Sequence, residues 1–119
     1  GRRSTLIAWD KQGNDNYIPS ITIGNNVSIG DDCHITAINK IIIGNDVLFG
    51  KKVTITDNSH GNNSHDDLHI PPLQRKVTSR GPVLLKDKVW IGDKYGQDRL
   101  CRVTLKSSYR MYRLLQVFN

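Results

Sequence analysis

The chain has 119 residues, 17 Lys and Arg against 11 Asp and Glu, a formal net charge of +6, and two cysteines. That length predicts one domain, no apolar run is long enough to span a membrane, and two lone cysteines make no disulfide framework. The charge does not point to nucleic acid, because residues 1–93 carry 11 basic and 10 acidic side chains while residues 94–119 carry 6 and 1.

Gly1-Arg2-Arg3-Ser4-Thr5 leads into an apolar segment too short for a signal peptide, so a cytoplasmic protein without membrane insertion is expected. Residues 1–20 have no regular period and read as an N-terminal cap. Leu6-Ile7-Ala8-Trp9 is its strand and Asp10 to Asn16 a polar turn. Trp9 and Tyr17 are read as cap packing.

From Ile21 to His60 the chain repeats in steps of six: Ile23-Gly24-Asn25-Asn26-Val27-Ser28, Ile29-Gly30-Asp31-Asp32-Cys33-His34, then Ile43-Gly44-Asn45-Asp46-Val47-Leu48, Phe49-Gly50-Lys51-Lys52-Val53-Thr54 and Ile55-Thr56-Asp57-Asn58-Ser59-His60. A hexapeptide period predicts a parallel β-helix. Three short strands close one triangular coil, and the residue opening each unit points inward. Gly and Asn are expected at the corners because they tolerate positive φ. Helical spacing is absent, and an antiparallel sandwich fits the period less well. Cys33 falls at a small inward position and reads as a buried thiol. Between Ile35 and Ile43 the step is eight residues, so Thr36 to Lys40 must bulge from a strand or corner. Gly44 and Gly50 stand one residue too far apart for a phosphate loop ending at Lys51, and Lys52 is not Ser or Thr, so that site is rejected.

Residues 61–82 abandon the repeat for a long polar loop, and long loops on rigid scaffolds tend to be functional. The repeat resumes at Val83-Leu84-Leu85-Lys86-Asp87-Lys88-Val89-Trp90-Ile91-Gly92. After residue 93 no hexapeptide returns: Gln97 stands at the next inward position, and residues 94–119 read as a basic tail, irregular or helical near Tyr109 to Gln116. The abrupt change is what a shifted reading frame or an engineered end would produce; a natural capping helix is the alternative. The fold expected is all-β, a left-handed parallel β-helix over residues 21–93 with cap, loop and tail.

These repeats, with Asp57-Asn58-Ser59-His60-Gly61 before a polar loop and Val89-Trp90-Ile91-Gly92 after it, resemble the hexapeptide-repeat acetyltransferases, and within them the sugar and polysaccharide O-acetyltransferases. The resemblance covers residues 20–93. It implies a homotrimer with the active cleft between subunits, acetyl-CoA as co-substrate and a saccharide hydroxyl as acceptor. It implies His60 as general base, a task suited to an imidazole that titrates near neutrality. Asp57 and Asn58 are candidates for orienting the imidazole or binding the acceptor, although turn formation explains them equally. Trp90 is a candidate contact to substrate and, with Asp93, to CoA. The family's ligand-binding asparagine falls on Gly30 here, so that contact is not carried over. No metal is expected.

Two other readings stay open. His60 and His65, with His34, Asp66, Asp67 and His69 nearby, resemble the histidine set of zinc-type hydratases of the γ-class carbonic anhydrase kind. A non-catalytic β-helix that binds or packs is the third.

Overall fold

The computed structural model describes residues 1–61, 67–79, 81–93 and 102–103, with Asp67 and the last pair described by backbone alone. The strands are β1 (Thr5–Ala8), β2 (Lys11–Gln12), β3 (Asp15–Asn16), β4 (Ser20–Ile23), β5 (Ser28–Ile29), β6 (His34–Ala37), β7 (Lys40–Ile43) and β8 (Leu48–Phe49). They continue with β9 (Thr54–Thr56), β10 (Ser59–His60), β11 (Val77–Thr78), β12 (Val83–Leu85), β13 (Trp90–Ile91) and β14 (Arg102–Val103). Two 3-10 turns, Asp67–His69 and Pro72–Gln74, lie between β10 and β11. The secondary structure of the described residues is mostly strand, with no α-helix among them, as an all-β fold requires. No helix among the described residues is long and apolar enough to cross a membrane.

Three parallel sheets carry the architecture, in the orders β1-β6-β9-β14, β4-β7-β12 and β5-β8-β13. Ser20 pairs with Lys40, Ser28 with Leu48 and His34 with Thr54, so each neighbour lies 20 residues on. Each sheet takes one strand from each circuit of the chain, an arrangement that fits a β-helix. Ile41 pairs with Val83 and Leu48 with Trp90, a displacement of 42, because the chain between β9 and β12 makes its long excursion.

The register explains why the unit-opening residues are apolar. Ile35 lies beside Ile55, Ile43 beside Leu85 and Phe49 beside Ile91, and all six are 2% exposed or less. Burying each such side chain contributes about 1.5–3 kcal/mol. The first circuit follows the same pattern, but Leu6 and Ile23 remain 48% and 37% exposed because β1 and β4 end their sheets. Cys33 is buried, as its position predicts.

The corners divide labour differently from expectation. Positive φ is taken by the fourth residue of the unit, at Asn26, Asp32, Asp46, Lys52 and the equivalent Lys88, with values of 56–60°. The unit glycines do not turn the chain this way. They admit the backbone of the next circuit: a Cβ on Gly44 would lie 2.8 Å from the Asp87 nitrogen, and one on Gly24 would lie 2.7 Å from the Gly44 carbonyl oxygen. The third residue adds a ladder. Asn45 Oδ1 accepts from the Asn25 N–H and Asp87 Oδ1 from the Asn45 N–H, each at 2.7 Å.

One corner breaks this regularity in every circuit. Between the first and second sheets the chain inserts residues 9–19 in the first circuit, only Ile38 and Asn39 in the second, and the β10–β11 excursion in the third. The two long inserts meet over the short one. Tyr17 Oη donates to the Val77 carbonyl at 2.8 Å, and Lys76 Nζ lies 3.8 Å from Asp15. Asn39 Nδ2 reaches Ser79 Oγ at 3.5 Å. Tyr17 thus packs the cap against the stem of the loop.

The tail departs from an irregular or helical course at Arg102–Val103, which pairs in parallel with Thr54 and Ile55 and adds a fourth strand to the first sheet. The remainder of the 94–119 tail lies outside the described residues.

Candidate active site

The outward face of the first sheet forms the floor of an open groove of about 390 Å³, made by His34 and Thr36 of β6 and Thr54 and Thr56 of β9. Asn58, Ser59 and His60 form its wall. Alternation along a strand sends these side chains out while Ile35 and Ile55 go in. The floor is tied together by Thr36 Oγ1 donating to Thr56 Oγ1 at 3.1 Å.

His60 is exposed and stands on β10, where the chain leaves the third circuit. An antiparallel pairing with β11 fixes it there: Ser59 faces Thr78 and His60 faces Val77. The Gly61 N–H donates to the Lys76 carbonyl at 2.9 Å and closes this stem. The His60 imidazole has no hydrogen bond to another described residue, and it lines the groove.

Asn58 is held by its neighbours. Its backbone N–H donates to Thr56 Oγ1 at 3.3 Å, and its Nδ2 donates to the Thr36 carbonyl at 3.4 Å and to Asp57 Oδ1 at 3.1 Å. It lines the groove together with His60.

Asp57 is placed differently. It is 3% exposed and does not line the groove. Oδ1 accepts the Ile38 N–H at 2.9 Å, and Oδ2 accepts the Asn39 and Lys40 N–H groups at 2.8 Å each. The carboxylate anchors the short corner of the preceding circuit, and this explains how the eight-residue step is accommodated. It touches the groove only through the Asn58 amide.

Trp90 and Asp93 are not brought to this groove. Trp90 lies in register with Leu48 on the third sheet, and the two outward side chains are 52% and 48% exposed. Asp93 Oδ1 accepts the Lys51 N–H at 2.7 Å, the same corner role that Asp87 plays one unit earlier.

His34 is the groove residue that no acetyltransferase motif indicated. Its Nδ1 lies 2.5 Å from Thr5 Oγ1 of β1. The signal lay in the 20-residue displacement, which sets His34 beside Thr54. Among the described residues no three His, Cys, Asp or Glu side chains gather as a metal site. His65, Asp66 and the Asp67 side chain lie outside the described residues.

A second groove, of about 520 Å³, opens where the three corner segments meet and is lined in part by Tyr17, Asn39, Lys76 and Ser79. Burial raises the Tyr17 phenol above its ordinary pKa, reinforced by Asp15.

The chain is similar to a protein of Escherichia coli (strain K12) named "Putative lipopolysaccharide biosynthesis O-acetyl transferase WbbJ", with 38% identity over 77 residues. The match covers 61% of this chain, and 39% of the length of that relative. No protein-family model matches the chain. No solved structure matches it either. What this chain shares with that relative is the matched stretch, which is under half of the relative's length.

Proposed function

We propose that this chain carries the acceptor side of an acetyl-CoA-dependent O-acetyltransferase built on a left-handed parallel β-helix, with a saccharide hydroxyl as acceptor. The observation that carries this reading is the exposed His60 imidazole at the wall of a groove floored by hydroxyl groups. His60 takes the proton of the acceptor hydroxyl as its oxygen attacks the thioester carbonyl. A C–O bond forms, the C–S bond breaks, and the proton passes to the departing CoA sulfur. An imidazole can take and return that proton near neutral pH. Asn58 lines the acceptor groove beside it, and Asp57 positions Asn58 without touching the ligand.

Trp90 and Asp93 lie away from this groove within one chain, so the proposed CoA contacts belong to a homotrimer in which the cleft is shared between subunits. Trp90 would contact the donor through its exposed ring. For Asp93 the proposal is narrower, since its Oδ1 already accepts the Lys51 N–H.

The test is release of free CoA thiol from acetyl-CoA in the presence of a panel of saccharides, for the wild type and for His60→Ala. Loss of general-base catalysis predicts a fall in kcat of about 10²–10⁴-fold. Wild-type turnover by His60→Ala would overturn the assignment of the base, and absence of thiol release with every acceptor would overturn the enzymatic reading.

A further inference from the structure

The groove has two ends, and the proposed base accounts for only one. Asn58 is bonded to Thr36 and Thr56, so these residues mark the end beside His60. His34 and Thr54 lie two residues back along the same paired strands. At 3.3 Å per residue they stand about 6.6 Å farther along the floor, a distance comparable with the width of a hexose ring.

His34 is built to contact a ligand there. Its ring is exposed, yet the Thr5 hydroxyl engages Nδ1 at 2.5 Å, which leaves Nε2 as the nitrogen available to a partner. A ring already fixed by a second strand loses little freedom on binding. The described lining holds hydroxyl, amide and imidazole groups, with no carboxylate, ammonium or guanidinium among them. Groups that both donate and accept suit an uncharged polyol, whose hydroxyls do the same.

We propose that His34, oriented by Thr5, is a specificity residue that hydrogen-bonds a hydroxyl of a neutral saccharide, at the end of the groove remote from His60. The naming of a reacting hydroxyl rests on the acetyltransferase reading; saccharide binding by His34 is measurable without it.

The experiment titrates methyl glycosides of neutral hexoses and 6-deoxyhexoses into the full chain, with affinity read by saturation-transfer NMR. Wild type, His34→Ala, Thr5→Val and His60→Ala are compared. Loss of one hydrogen bond predicts about tenfold weaker binding in His34→Ala and a smaller loss in Thr5→Val, where the imidazole remains but is no longer held. In turnover, the saccharide KM rises by a similar factor while kcat falls far less and the acetyl-CoA KM stays constant. Equal affinity in wild type and His34→Ala overturns the proposal, as does a wild type that binds none of the glycosides. If His34→Ala fails to fold, Thr5→Val decides: unchanged affinity overturns the proposal and weaker affinity supports it. Wild-type turnover by His60→Ala alongside weakened binding by His34→Ala would remove the base assignment and leave the His34 assignment standing.

Discussion

Asp57→Asn isolates a buried carboxylate bonded to three backbone N–H groups and to the Asn58 amide. The carboxylate is 3% exposed and accepts three backbone N–H groups at 2.8–2.9 Å. An amide keeps the shape but retains one oxygen, and its NH2 group meets a backbone donor in place of accepting it. The least damaging orientation puts nitrogen at the Oδ1 site. That loses the Ile38 bond and the Asn58 contact, and weakens the two bonds at Oδ2 to neutral ones. A hydrogen bond to a charged acceptor contributes about 1.5–3 kcal/mol, and a neutral one about 1. The sum points to a loss of roughly 3 kcal/mol. Urea unfolding followed by tryptophan fluorescence reads it, with the slope unchanged if the variant still unfolds in one step. Amide exchange should quicken at Ile38, Asn39 and Lys40. A loss below about 1 kcal/mol, or unchanged exchange at these three amides, would refute the anchor role.

Gly44→Ala should cost about 1–3 kcal/mol, because the new Cβ meets the Asp87 nitrogen at 2.8 Å and the Lys86 carbonyl carbon at 2.9 Å. Gly13→Ala, with φ of +61° and nothing within 4 Å, should cost only the left-handed penalty of about 1 kcal/mol; urea midpoints in the reverse order would refute the close-approach argument. Lys52→Asn should stabilise by up to about 1 kcal/mol, since Lys52 holds a φ of 60° that asparagine adopts more readily; a lower urea midpoint would count against it. The Arg2 backbone N–H holds Asp31 below the usual carboxylate range, and the Arg3 guanidinium does the same for Asp32. Their hold on β1 is therefore complete above the ordinary aspartate value of about 3.9 and is lost as pH falls through the lowered folded values. Amide exchange across Thr5–Ala8 should rise on acidification below that range and respond less in Asp32→Asn; equal acid responses would refute the linkage. Ending the chain at residue 93 removes β14 and leaves one edge of β9 unpaired. Exchange at Thr54 should then rise by about tenfold relative to Ile42 in β7, and parallel behaviour of the two amides would show that β14 does not protect the floor.

The hexapeptide period carried the interior because inward positions repeat along the chain itself. Ile43, Phe49 and Ile55 are apolar for a reason visible in any one unit, and their burial follows. His60 was singled out for a different reason, its place in a motif before a loop, and it stands in the groove wall. Other residues have contacts that a single unit does not display, because they act across circuits. Asp57 resembles a turn former or a ligand contact in its own unit, but its partners lie 17–19 residues earlier. Asp93 shares the corner chemistry of Asp87, which becomes apparent only when the Lys51 N–H is seen beneath it. His34 gains its place from Thr54, 20 residues later, and its orientation from Thr5, 29 residues earlier. The glycines were assigned the wrong cause because close approach of another backbone leaves no mark in the local sequence.

The same distinction explains why the candidate site lies at one corner. At the regular corners, side-chain oxygens accept N–H groups from the circuit before, and glycine removes the space a ligand would need. Polar groups there have partners already. Between the first and second sheets the chain cannot repeat this arrangement, because its inserts differ in length from circuit to circuit. Asp57 satisfies the backbone of the short insert, which leaves Asn58, Ser59 and His60 to project beside the hydroxyl floor. β9 supplies half of that floor; Thr54 is paired on both sides, by β6 and β14, and Thr56 is paired with Thr36 of β6. The site thus combines a paired floor with a wall released from the repeat, the combination that the proposed transfer would need to hold a base against a bound hydroxyl.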